Sequence, residues 1–112
     1  MIQIKLILEG KEHVYRAAGV NLRASLEAYD LYREYTEARG DYKDDLLESC
    51  MRYIVRLFGG AFDIADLEDG YKGSAFELIP NIFTAVINYV EGAVVNFPPP
   101  AAIPAATNPT GS

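Results

Sequence analysis

The run from Ala75 to Phe97 constrains this chain most, because it is apolar on more sides than a surface helix of a small domain has core to bury. Ile79, Phe83, Val86, Val90 and Ala93 recur at helical spacing and form one stripe, while Ile82, Ala85, Ile87, Tyr89 and Val94 populate much of the remaining circumference. A chain of 112 residues has room for one hydrophobic core. Such a helix either sits centrally, between a sheet and other helices, or closes the domain with one stripe and offers the other to a partner. If about four large side chains stay uncovered, burying them at about 1.5–3 kcal/mol each contributes on the order of 6–12 kcal/mol before association costs. Ser74-Ala75-Phe76-Glu77 has the form of a capping box, which places the helix start there. Pro80 lies past the position where proline is tolerated without loss, so a bend is expected near Phe76 to Pro80.

The remainder supplies what this helix packs against. Ile2, Ile4, Leu6 and Leu8 alternate with Gln3 and Lys5, the period-two pattern of a half-buried strand, with Ile7 as the one breach. Gly10 allows the backbone to reverse, and His13-Val14-Tyr15-Arg16 has the content of a returning strand. A lone hairpin is marginal in water, so its apolar face must lie on helices or join strands of other subunits. Asn21 is a credible N-cap for a first helix of about Leu22 to Arg39, in which Leu22, Leu26, Tyr29 and Arg33 recur before Gly40. Its charges read as a solvated face, with Arg23–Glu27 and Arg33–Glu37 one turn apart. A second helix starts near Asp41 to Asp45, carries Leu46, Leu47, Cys50, Met51, Ile54, Leu57 and Phe58, and stops at Gly59-Gly60. Asp63 caps a short third helix closed by Gly70. After Phe97 the chain turns to Pro98-Pro99-Pro100 and a Pro/Ala-rich segment with little to bury. The fold class expected is α+β, mainly helical: an N-terminal β-hairpin and about four helices in one domain over residues 1–97, then a disordered tail over 98–112.

Composition narrows the function classes. A formal charge of −6, with Lys and Arg spread along the chain, argues against nucleic acid. The apolar run is interrupted by Glu77, Asn81, Asn88, Glu91 and Asn96, which argues against a membrane span. The N-terminus reads as a strand rather than a signal peptide, and the single Cys50 requires no oxidising compartment.

Catalytic, cofactor and metal chemistry find no footing. His13 is the only histidine and lacks a second positioned group at motif spacing. Cys50 sits among Leu47, Met51 and Ile54, where burial makes a thiol inert. Asp63, Asp66, Glu68 and Asp69 do not have the spacing of a calcium loop, and Gly59-Gly60 lacks the Lys-Ser/Thr of a phosphate loop. The residues that stand out suit a polypeptide partner: Tyr29 and Tyr32 on the first helix, and Ile79, Ile82, Phe83, Val86, Tyr89, Val90 and Val94 on the fourth. The alternative for the tyrosines is that they line the core with their hydroxyls at its edge.

The hairpin with Gly10-Lys11, the helix after Asn21-Leu22-Arg23, the run Phe58-Gly59-Gly60-Ala61-Phe62-Asp63, and Leu67 and Gly70 before an amphipathic helix together carry a likeness. Over roughly Ile4 to Val95 the chain resembles the tail assembly chaperones of long-tailed phages that infect Gram-positive bacteria. Asp63 stands where that family often has threonine, and the proline-rich tail is unmatched. The resemblance implies a non-catalytic protein without cofactor that forms homo-oligomers in the host bacterial cytoplasm. It would bind the long, hydrophobic-rich tape measure protein and keep it soluble until tail tube protein polymerises around it. Such proteins are absent from the mature virion, and a frameshifted longer form of the same chain is a further partner in many relatives. Two other readings stay open: a small adaptor or inhibitor that binds a folded protein, and a minor structural subunit of a virion.

Overall fold

The computed structural model describes residues 2–17 and 20–89, together with the backbone of 95–97. The alternation at the N-terminus becomes β1 (Ile2–Leu8), whose Ile2, Ile4 and Leu6 are completely enclosed. It pairs antiparallel with β2 (Lys11–Ala17), Leu8 facing Lys11 and Ile2 facing Ala17. The two-residue connection has Glu9 and Gly10 both left-handed, at φ 53° and 77°, so the backbone twist of the turn matches that of the strands.

Four helices follow. In α1 (Leu22–Glu37) the Asn21 side chain accepts the Ala24 N–H at 2.9 Å, and Ala28 and Tyr35 are buried. In α2 (Asp44–Leu57) Asp44 and Asp45 occupy the positive end, while Cys50, Tyr53 and Ile54 are buried. Gly59 and Gly60, at φ 71° and 72°, close α2: the Gly60 N–H donates to Val55 O and the Gly59 N–H to Arg56 O, a Schellman stop. The Tyr53 hydroxyl reaches across to donate to Ala24 O at 2.5 Å, which fixes α2 against α1. The ion pairs differ from the one-turn pairs expected within α1. Glu27 pairs with Arg56 of α2 at 3.5 Å and Arg33 with Asp30 at 3.7 Å. All four side chains are exposed enough that each pair is worth at most about 1 kcal/mol.

The reciprocal capping box forms on α3 (Ile64–Gly70), where the Asp63 carboxylate accepts from the Asp66 N–H and Asp66 accepts from the Asp63 N–H. Ser74 caps α4 without the expected box: its Oγ accepts the Phe76 N–H at 3.1 Å and not that of Glu77, and among the described residues the Glu77 side chain makes no return bond to the Ser74 N–H. Gly70 does not end α3 by a left-handed turn. A Cβ there would lie 2.8 Å from Leu8 Cδ2, 3.0 Å from Leu6 Cβ and 3.2 Å from Ile7 O, so glycine is required by the close approach of α3 to β1. Gly70→Ala is expected to destabilise by about 1–3 kcal/mol, read as a lower midpoint of thermal or urea unfolding.

The last helix, α4 (Ala75–Ile87), is shorter than its apolar pattern. It continues through Pro80, and Thr84 Oγ1 donates to the Pro80 carbonyl at 2.8 Å. It ends at Asn88, whose side-chain amide donates to Thr84 O. The segment expected to extend it instead contributes β3 (Val95–Phe97), which runs parallel to β1 and opposes Ile2, Gln3 and Ile4. The sheet order is β2-β1-β3. A short apolar run such as Val94-Val95-Asn96-Phe97 satisfies either period, and the free edge of β1 decides for the strand. The proline-rich tail over 98–112 lies outside the described residues.

α4 packs on α1, α2 and β3, and α3 packs on β1 and α2. One core results, in which Ile2, Ile4 and Leu6 join Leu67, Leu78, Ile79, Ile82, Phe83 and Val86. The hairpin and four helices of the α+β class are present, with the third strand added to them.

Candidate functional site

The chemistry-bearing side chains are held apart. His13 is exposed on β2 and lies 6.2 Å from the Tyr15 ring, centroid to centroid. Cys50 is fully buried in α2, and burial, reinforced by the charge of Glu34, pushes its thiol up to about 11, so it stays protonated at neutral pH. Among the described residues no cluster of three or more His, Cys, Asp or Glu could hold a metal ion. No described helix is long and apolar enough to cross a membrane.

The residues singled out for a partner separate into distinct environments. Ile79, Ile82 and Phe83 are completely enclosed and Val86 nearly so, with Phe83 edge-on to Tyr53 at 5.3 Å. Over Ala75–Ile87 the helix is therefore sandwiched by the chain's own elements. Tyr89 is half-buried against the core, and Val90 and Val94 lie outside the described residues. Tyr32 is also half-buried against the core, whereas Tyr29 is 55% exposed.

Tyr29 is not isolated. Leu22 is 74% exposed and Leu26 57%, and these two with Tyr29 stand at i, i+4 and i+7 along α1. At 3.6 residues per turn the three share one side of the helix, roughly opposite the side that carries Ala24, Ala28, Leu31 and Tyr35 inward. The inner side is built partly of alanine, which lets α1 lie close to α2, and its outer side keeps the larger apolar groups. α1 is thus apolar on two faces, and the uncovered one is its outer, N-terminal half. A stripe of Leu, Leu and Tyr is the kind of surface that buries well against an apolar chain, with the tyrosine hydroxyl still able to reach water. The spacing of Leu22, Leu26 and Tyr29 was legible as helical, but which side they face was not.

A depression between α2 and α3 is lined by Leu47, Met51 and Ile64 together with Asp44, Glu48 and Glu68. Another exposed aromatic, Phe76, at the start of α4, ends a stack in which Tyr35 lies on Tyr42 at 4.4 Å and Tyr42 on Phe76 at 5.3 Å. Burial, aided by the Tyr42 hydroxyl, pushes the Tyr35 phenol upward, so the Tyr35 hydroxyl keeps its proton at physiological pH. Among the described residues the surface offers exposed apolar side chains at α1, between α2 and α3, and at Phe76.

Comparison with known proteins adds a family. Residues 1–96 match the model of a family described as phage tail chaperone protein. No curated protein and no solved structure matches the chain. The family match takes in the hairpin, all four helices and the first two residues of β3, so it spans the fold and not one motif of it. The chain belongs to the phage tail chaperone proteins.

Proposed function

We propose that this chain acts in the host bacterial cytoplasm as the chaperone of the tape measure protein. In this reading it self-associates, holds apolar segments of the tape measure protein soluble until tail tube protein polymerises around them, and is left out of the mature virion. Membership in the tail chaperone family supports the process. The observation that carries the binding role is the uncovered stripe of Leu22, Leu26 and Tyr29 on α1, on a domain whose core is otherwise closed. An elongated, hydrophobic-rich client offers many segments that can cover such a stripe, each weakly, and several copies of the chaperone along one client would act together. A net charge of −6 keeps the loaded complex soluble.

The test is co-expression with the tape measure protein of the same genome. The tape measure protein is expected in the soluble fraction and in complex with this chain. A tape measure protein that remains insoluble, with no complex formed, overturns the reading.

A further inference from the structure

The sheet is closed on one side of the hairpin and open on the other. β3 occupies part of the far edge of β1, while among the described residues no strand pairs with the outer edge of β2. The hydrogen-bond phase of that edge follows from the turn. A two-residue loop closes on a bonded pair, Leu8–Lys11, so the bonded pairs continue as Leu6–His13, Ile4–Tyr15 and Ile2–Ala17. The N–H and C=O groups of Glu12, Val14 and Arg16 therefore point outward along the open edge. Their side chains share the solvent face of the sheet with Lys5, which pairs with Glu12 at 3.2 Å. Val14 is 46% exposed between the two charged residues.

We infer that β2 pairs antiparallel with β2 of a second copy, centred on Val14 opposite Val14, so that two three-stranded sheets become one continuous sheet. Charge selects the register. With Val14 at the two-fold axis, Glu12 of each copy opposes Arg16 of the other, and every outward N–H and C=O of the three residues finds a partner. A shift of two residues either way sets Glu12 or Arg16 against valine, and a shift of four sets glutamate against glutamate or arginine against arginine. The same axis brings His13 opposite Tyr15 of the partner on the other face, extending the pairing already present within one hairpin. The strand holds no proline and no bulge, two of the devices that keep exposed edges from pairing, and of its charged residues Glu12 and Arg16 are complementary across the axis instead of repelling. The contact is isologous and closes at two copies, and it leaves α1 free for the client.

This inference rests on the self-association proposed above and deepens it, and light scattering of the purified full chain separates the two. The wild type is expected at twice 12.4 kDa or a higher even multiple. Glu12→Arg and Arg16→Glu should each halve the mass, and the double swap Glu12→Arg/Arg16→Glu should restore it, because it re-creates the same opposed pairs. Val14→Pro should also halve it, since the lost N–H faces the edge and not β1. The charge variants are at exposed positions and keep the test valid if the proline variant does not fold. A 12.4 kDa wild type overturns self-association and the seam together. An oligomeric wild type whose mass is unchanged in the single swaps, or not recovered in the double swap, overturns the seam alone. A monomeric chain that loses tape measure capture on Val14→Pro overturns the second copy in favour of a client strand on the same edge.

Discussion

Phe83→Ala is expected to cost about 3–5 kcal/mol of folding stability, which for a domain of this size lowers the thermal midpoint by on the order of 15–30 °C. Phe83 is fully enclosed, lies edge-on to Tyr53 at 5.3 Å, and sits on the helix that touches α1, α2 and β3. Truncation removes the transfer free energy of the ring and leaves a cavity that four elements would have to shift together to refill. The edge-to-face pair with Tyr53 adds about 0.5–1.5 kcal/mol to the loss. Tyr53 also holds α2 to α1 through its hydroxyl, so loosening its ring disturbs that bond as well. The measurement is urea or thermal unfolding followed by circular dichroism. A loss below about 1 kcal/mol would mean that α4 is not the centre of the core. For the same reason Phe83→Asp reads out folding and not assembly, since it places a charge where no polar partner exists.

The opposite pattern is expected on the outer side of α1. Leu22→Asp/Leu26→Asp should leave the unfolding midpoint nearly unchanged while weakening capture of the tape measure protein by at least about 100-fold. Both leucines are more than half exposed, so their removal takes little from the core. α1 has no acidic residue in its first turn, and an aspartate at position 22 suits the positive end of the helix, which offsets part of any loss. On the binding side, covering the exposed fraction of two leucines is worth about 2–4 kcal/mol. Replacing them with carboxylates adds the cost of burying charge against an apolar client, and each 1.4 kcal/mol is a factor of about ten in affinity. The comparison is a titration of wild type and variant against one apolar tape measure fragment, with unfolding curves of both proteins alongside. Equal affinities would remove α1 from the client site.

How far the sequence reaches can be judged from individual elements. Ile2, Ile4 and Leu6 alternate because one sheet face is buried, and that needs no knowledge of the partner helices. Asn21, Asp63 and Gly59-Gly60 mark helix ends through bonds made within a few residues, so they are read locally. What failed depends on distant neighbours. Val95–Phe97 becomes a strand because β1 has a free edge, and nothing within the segment itself states that. Gly70 carries meaning only through Leu6, Ile7 and Leu8, far away in the chain. Which apolar face of a helix stays exposed is hard to read for a related reason. A helix apolar on two sides reveals its period but not which side the core takes, and in the N-terminal half of α1 the core takes the small residues Ala24 and Ala28. The excess of apolar surface on α4 is absorbed inside the domain over Ala75–Ile87, while the smaller excess on α1 is left outside.

The location of the client is tested most directly by thiol labelling of a Leu26→Cys variant with a maleimide, alone and in complex with the tape measure protein. Cys50 is fully buried with its thiol pushed up to about 11, so it stays silent and the label reports position 26. The account predicts rapid labelling of the free protein and labelling slowed at least about tenfold in the complex, as expected when a contact of about 1.4 kcal/mol or more covers the site. Equal rates in the two states would contradict it.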